Sequence, residues 1–148
     1  MVSVVNLTRQ KIANDFIIKL CRHVLFAEKK QKTEVSVVLA GEGRMRLLNK
    51  RYRRQDKVTD VLAFSGDSKR SFFPNQSSFL GEIIICLAKA KKQAKKFKVS
   101  QRQEVGRLLV HCILHLLGYN HELSKIEASK MEQKEEKYLK IVNKKVKV

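Results

Sequence analysis

The stretch HCILHLLGYNH, residues 111–121, holds three of the chain's four histidines and predicts both a central helix and the bend that ends it. Residues four apart share one helical face, so His111 and His115 can direct both imidazoles at one ion. Gly118 can adopt the left-handed conformation common just past a helix end, and the chain can then turn back and bring His121 to the same ion. Three neutral nitrogen ligands leave a fourth position for water, the arrangement of a catalytic zinc site.

The spacing of these histidines and of the glycine matches the metzincin pattern H-E-x-x-H-x-x-G-x-x-H, so we describe the predicted metal helix as metzincin-like. Cys112 stands where that pattern has its glutamate, and the general base of a metallopeptidase is therefore missing. Cys112 also lies about 100° around the helix from His111. This position predicts a buried core thiol rather than a fourth ligand, because Cys112 belongs to an apolar stripe. The stripe consists of Val105, Leu108, Leu109, Cys112 and Leu116.

Size and charge narrow the class of protein. A length of 148 residues suits one domain with a real core, so we predict a single domain over residues 1–148. The 32 Lys and Arg against 14 Asp and Glu give a net charge of +18, which attracts polyanions such as nucleic-acid backbones, although a basic surface can also serve solubility alone. Three cysteines cannot all pair, which favours a reducing cytoplasm. With no leader pattern and no apolar run of about 20 residues, we expect a cytoplasmic protein without a membrane segment.

Hydrophobic periodicity and turn residues predict secondary structure in the order βαβαββααα. The predicted strands are residues 2–7, 34–39, 58–64 and 81–86. The predicted helices are residues 14–27, a short helix ending near 52, 87–98, 100–117 and a last helix from about 124. The polar stretch 65–78 is predicted to be a long loop, and 143–148 a frayed basic tail. This order predicts an α+β fold in which helices flank a small mixed β-sheet of about four strands.

The predicted helix at residues 87–98 carries six lysines. Such a run is either a solvated helix face or a surface that contacts phosphates, and the sequence leaves both interpretations open. If the surface contacts RNA, the candidate backbone contacts are Lys89, Lys92, Lys95 and Lys96.

Three blocks of the sequence resemble one known family. Residues 111–121 resemble H-G-x-L-H-L-x-G-Y-D-H, the signature of the YbeY-type endoribonucleases, the bacterial rRNA maturation factors. Residues 48–64, LNKRYRRQDKVTDVLAF, resemble the family's L-N-x-x-Y-R-x-x-D-x-P-T-D-V-L-S-F, and residues 80–83, LGEI, resemble its L-G-D-I. The three motifs occur in the family's order and extend over nearly the whole domain. The chain departs from them at Val58, Ala63, Glu82, Cys112 and Asn120.

The resemblance implies a zinc-dependent endoribonuclease that is specific for single strands and hydrolyses phosphodiester bonds. It also implies that the enzyme acts in 16S rRNA 3′-end maturation and in ribosome quality control. The implied partners are single-stranded RNA, rRNA and the small ribosomal subunit, with no membrane and no small-molecule cofactor. One Zn²⁺ per chain would be held by His111, His115 and His121. A zinc-bound water would act as nucleophile, and Arg53, at the position of the family's functionally important arginine, would contact the phosphate.

Asn120 and Glu122 flank the third histidine and are candidate partners of the metal ligands. Asn120 replaces the aspartate of the family, and an amide can form hydrogen bonds but does not titrate usefully. Two other functions stay open at this point. One is a ribosome-associated assembly factor whose zinc is structural and which binds RNA without cleaving it, and the other is a metallopeptidase, which Cys112 disfavours.

Overall fold

The structure, a computed structural model, describes residues 1–66, 79–120, 122 and 124–146, the last four of these through their backbone only. Most of the predicted 65–78 loop therefore lies outside the described residues. Within this part of the chain the elements follow the predicted order. They are β1 (Val2–Asn6), α1 (Asn14–Ala27), β2 (Glu34–Ala40), α2 (Glu42–Arg53), β3 (Val61–Ser65), β4 (Phe79–Cys86), α3 (Leu87–Phe97), α4 (Gln101–Leu116) and α5 (Lys125–Val146).

The described strands form one mixed sheet in the order β1-β2-β4-β3, which confirms the predicted α+β class with a four-stranded sheet. β1, β2 and β4 run parallel, and β3 pairs with β4 in the antiparallel sense. Both faces of β4 are covered, since Ile83 and Ile85 belong to the main core and Ile84 to a second cluster, and this explains its apolar run. Gly81 of β4 lies against β3, where an added Cβ would come within 2.4 Å of the Phe64 carbonyl oxygen.

α4 is the central helix, as predicted. It contacts α1, α3 and α5 as well as β3 and β4, so apolar residues cover most of its circumference. Its buried apolar side chains are Val105, Leu108, Leu109, Val110, Cys112, Ile113 and Leu114. α2 packs on the other side of the sheet, where Met45 and Ile84 belong to a second, smaller cluster. In the described part of the chain, no helix is both long and apolar enough to cross a membrane.

The two largest differences from the predicted boundaries are the start of β3 and the end of α5. β3 begins at Val61 rather than at residue 58, because the Asp60 side chain accepts hydrogen bonds from the Val61 amide at 2.8 Å and the Thr59 hydroxyl at 3.4 Å, which fixes a local turn before the strand. α5 continues to Val146 and includes residues 143–146, which we predicted to fray. Lysine is a good helix former, and each residue added to an existing helix gains a hydrogen bond. Residues 147–148 lie outside the described chain.

Candidate metal and catalytic site

His111 and His115 lie near the carboxyl end of α4, one turn apart on the same face. The start of the helix is fixed by a capping box, in which Ser100 Oγ accepts from the Gln103 amide at 3.0 Å and Gln103 Oε1 accepts from the Ser100 amide at 2.9 Å. The core-facing side of α4 is fully buried, whereas His115 is exposed and the His111 side chain is 37% exposed. The two imidazoles are therefore on the side of the helix that an ion or substrate can reach.

α4 ends in the bend predicted from Gly118. That glycine has a φ of 105°, a conformation that side-chain-bearing residues rarely adopt. Its amide donates to the His115 carbonyl at 3.1 Å, and the Tyr119 amide donates to the Leu114 carbonyl at 3.0 Å, so the last turn of the helix is closed by hydrogen bonds. His121 lies outside the described residues. Its approach to His111 and His115 therefore stays a prediction.

Asn120 and Glu122, the two candidates beside the third histidine, are joined by a hydrogen bond between the Asn120 side chain and the Glu122 backbone. Asn120 Oδ1 accepts a hydrogen bond from the Glu122 amide at 2.9 Å, and the Glu122 residue is exposed. An aspartate oxygen can accept the same bond, so asparagine keeps a turn-forming role at the position where the family has an aspartate. Just beyond, Ser124 Oγ accepts from the Glu127 amide at 3.1 Å and caps α5. A role of either side chain toward the metal stays a prediction.

Glu135 of α5 contacts the site and was not identified from the sequence. Its Oε1 lies 2.7 Å from Nδ1 of His111. When Nδ1 carries the proton and donates it to this carboxylate, Nε2 keeps the lone pair that binds a metal. The sequence held a signal, because Glu135 shares its helical face with Met131, Tyr138 and Val142, which are all buried. A carboxylate in an apolar stripe requires a partner.

We expect Glu135→Ala to weaken the affinity of the protein for Zn²⁺ by about 10- to 100-fold, the usual effect of removing the partner that orients a histidine ligand. Competition against a chromophoric chelator measures this affinity. Glu136→Ala is the matched control, because Glu136 is the next residue of α5 and is exposed. Equal zinc affinities of the two variants would show that Glu135 does not support the site.

Cys112 is confirmed as a core thiol, since it is 3% exposed. Burial, followed by the charge of Asp60, raises its pKa to about 12, while the charges of Arg53 and Arg107 act in the opposite direction. The thiol is therefore protonated at neutral pH. Arg53 is exposed to solvent, and its contact with an RNA phosphate stays a prediction.

The end of α2 fixes the position of Arg53. The helix stops there because Arg54 adopts a left-handed conformation, with a φ of 57°. The buried Asn49 side chain donates to the Lys57 carbonyl at 2.9 Å. On the surface, Arg46 Nε donates to Asp56 at 2.7 Å, and that hydrogen bond lowers the pKa of Asp56. The segment following Arg53 is therefore tied back to its own helix.

The lysines of α3 are placed at the surface. Lys95 and Lys96 are exposed, whereas Lys92 donates to Glu42 at 3.2 Å. Lys89, Lys92 and Lys96 line an open cleft of about 470 Å³ between α3 and the start of α2. A contact of the four candidate lysines with RNA stays a prediction.

The donor set fits zinc as far as the structure describes it. Among the described residues, no group of three His, Cys, Asp or Glu side chains is placed to hold a metal ion, and the third predicted ligand, His121, lies outside them. His111 and His115 supply two imidazoles on one accessible face, and Glu135 orients the first of them. Imidazole nitrogens supported by a hydrogen-bonded carboxylate are characteristic of zinc sites in proteins. The metzincin-like character of α4 stays a prediction for the same reason.

The fold and the site together define a class: α+β proteins with a central helix that presents paired histidines at the protein surface. The family profile described as endoribonuclease YbeY matches residues 3–143. The chain therefore belongs to the YbeY family, and the resemblance seen in its three motifs is confirmed.

Individual relatives agree with this assignment. The endoribonuclease YbeY of Thermodesulfovibrio yellowstonii is 45% identical over 105 residues, which are 71% of this chain but 64% of that protein, so the match spans less than two thirds of that relative. The endoribonuclease YbeY of Aquifex aeolicus is 37% identical over 131 residues, 88% of this chain and 85% of the relative. The solution structure of TM1509 from Thermotoga maritima is similar with a TM-score of 0.66 and 25% identity, over 94% of this chain and 87% of that one.

Proposed function

We propose that this chain is a zinc-dependent endoribonuclease that hydrolyses single-stranded RNA at His111, His115 and His121. We further propose that it acts in the cytoplasm on 16S rRNA 3′-end maturation and ribosome quality control, in contact with the small ribosomal subunit. The observation that carries the proposal is the histidine pair on the accessible face of α4, with Glu135 Oε1 2.7 Å from His111 Nδ1. Membership of the YbeY family supports the reaction class.

Zinc, when bound, supplies an activated water and compensates the charge that develops on the phosphoryl oxygens. The residues of this chain do the rest. Glu135 holds the His111 ring in one tautomer and one orientation. The guanidinium of Arg53 offers a planar fork of donors that matches two oxygens of a phosphate. The net charge of +18 draws the RNA backbone to the protein from a distance.

Two neighbouring side chains are assigned no proton transfer. The Cys112 thiol, with a pKa of about 12, carries its proton throughout the neutral range and is buried. Asn120 has an amide that does not titrate, and its oxygen already accepts from the Glu122 backbone. The proposed reaction therefore relies on the histidines and Arg53.

The test is cleavage of an end-labelled single-stranded RNA by the purified protein, with the same RNA annealed to its complement as control. We expect cleavage of the single strand alone, its loss after treatment with a chelator, and its recovery when Zn²⁺ is returned. Cleavage that persists in chelator would contradict the zinc requirement. RNA binding without cleavage under all metal conditions would instead favour the assembly factor, and zinc-dependent proteolysis of an unstructured peptide would favour the metallopeptidase.

A further inference from the structure

Glu28, the residue that follows α1, is a buried carboxylate with three partners. Its side chain is 7% exposed. It accepts hydrogen bonds from the Tyr119 hydroxyl at 2.5 Å, from Lys134 Nζ at 3.0 Å and from the Tyr138 hydroxyl. Burial raises the pKa of the Glu28 carboxyl, but these hydrogen bonds together bring it below its usual value. Glu28 is therefore an ionised group whose charge is satisfied inside the protein.

The three partners of Glu28 come from the segment that follows α4 and from α5. Tyr119 lies directly after Gly118, in the segment that leads from α4 to His121. Lys134 and Tyr138 are residues of α5, and Lys134 is adjacent to Glu135, which contacts His111. One carboxylate thus fastens both the bend after α4 and the helix that supports the first histidine to the end of α1.

The hydroxyl of Tyr119 restrains the backbone in a way that the ring alone would not. The ring is partly buried and packs against the core, a contact that phenylalanine would also make. The hydroxyl donates its proton in the hydrogen bond to Glu28. If Tyr119 moved away, Glu28 would keep its buried charge and lose a donor, which is unfavourable. The bond therefore restrains the backbone two residues before His121.

We propose that Glu28 is a positioning residue for the metal site, because by holding the Tyr119 hydroxyl it fixes the segment that presents His121. The role of Glu28 in zinc binding rests on the proposed function. The anchoring of the segment does not, and it can be measured without metal. The mechanism differs from that of Glu135, which touches a ligand directly, since Glu28 acts through a tyrosine beside the third ligand.

The sharpest test compares Tyr119→Phe with Tyr138→Phe. Each removes one hydroxyl from the same carboxylate. The first releases the segment before His121, whereas after the second α5 is still held to Glu28 by Lys134. We expect Tyr119→Phe to weaken Zn²⁺ affinity about tenfold and to alter the visible absorption of the Co²⁺-substituted protein. Tyr138→Phe should change Zn²⁺ affinity less than about twofold. This holds even if it lowers the melting temperature as much as Tyr119→Phe does. Equal effects of the two variants on Zn²⁺ affinity would overturn the proposal.

A double-mutant cycle separates the anchor from the metal. Glu28→Ala alone, Tyr119→Phe alone and the pair should each speed amide hydrogen exchange at residues 119 and 120 in the metal-free protein. The effect of the pair should be clearly smaller than the sum, because both changes break one link. Additive effects, or unchanged exchange, would refute the anchoring. Failure of the wild-type protein to bind Zn²⁺ would refute the proposed metal site, while the exchange measurement would still decide whether Glu28 anchors the segment.

Discussion

Replacing His115 by alanine is expected to abolish both zinc binding and RNA cleavage. His115 is exposed on the accessible face of α4, so its loss removes one of the predicted ligands without opening the core. A site reduced to two histidines binds zinc weakly, and the chemistry that the metal supplies is lost with it, so we expect cleavage to fall by at least about 10³-fold. Elemental analysis and a cleavage assay on the same preparation measure both quantities together.

His23→Ala is the control for this prediction. His23 lies on α1, is exposed, and contacts the Tyr138 ring edge-on with centroids 5.9 Å apart. It is the one histidine outside residues 111–121, so its loss should leave metal content and cleavage near their wild-type values. A His115→Ala protein that lacks metal and still cleaves RNA at the wild-type rate would eliminate the zinc mechanism.

The helical face of the site was predictable because it depends on neighbours in sequence. Spacing of four residues places His111 and His115 together, and Gly118 has the positive φ that a bend requires. Glu135 and Glu28 depend instead on how helices pack. Glu135 reaches His111 across 24 positions, and Glu28 reaches Tyr119 across 91. Helical periodicity specifies the face that carries a carboxylate but not the residue of another helix that it meets.

In the sheet, too, the positions of the strands were predictable from local sequence, whereas their order was not. Alternation and apolar runs located all four strands, but they could not give the order β1-β2-β4-β3, because pairing joins segments that are far apart in sequence. The start of β3 was missed for a local reason, since the Asp60 side chain bonds the Val61 amide in place of a neighbouring strand. Gln93 of α3 also donates to Asp60, at 3.3 Å, which holds this turn against the helix that follows β4.

Arg53→Ala is expected to reduce single-turnover cleavage by about 10²- to 10³-fold, the size of effect seen when a preorganised donor to a developing oxyanion is removed. Arg53 is the last residue of α2 and is exposed, so a phosphate can reach its guanidinium. Arg53→Lys keeps the charge but loses the planar fork of donors, and we expect it to restore only a small part of the rate.

Arg54→Ala distinguishes this role from general electrostatics. Arg54 is the adjacent residue and is also exposed, so its loss removes the same charge from nearly the same place. If Arg53 were one basic contact among many, both alanine variants would weaken RNA binding alike, and each would lower the salt dependence of binding by about one counterion. Arg53→Lys would then cleave RNA at the wild-type rate. The other outcome is a selective loss of cleavage in Arg53→Ala, with RNA binding close to that of Arg54→Ala. It would assign Arg53 to the reacting phosphate, because only an interaction strengthened in the transition state changes the rate without changing binding.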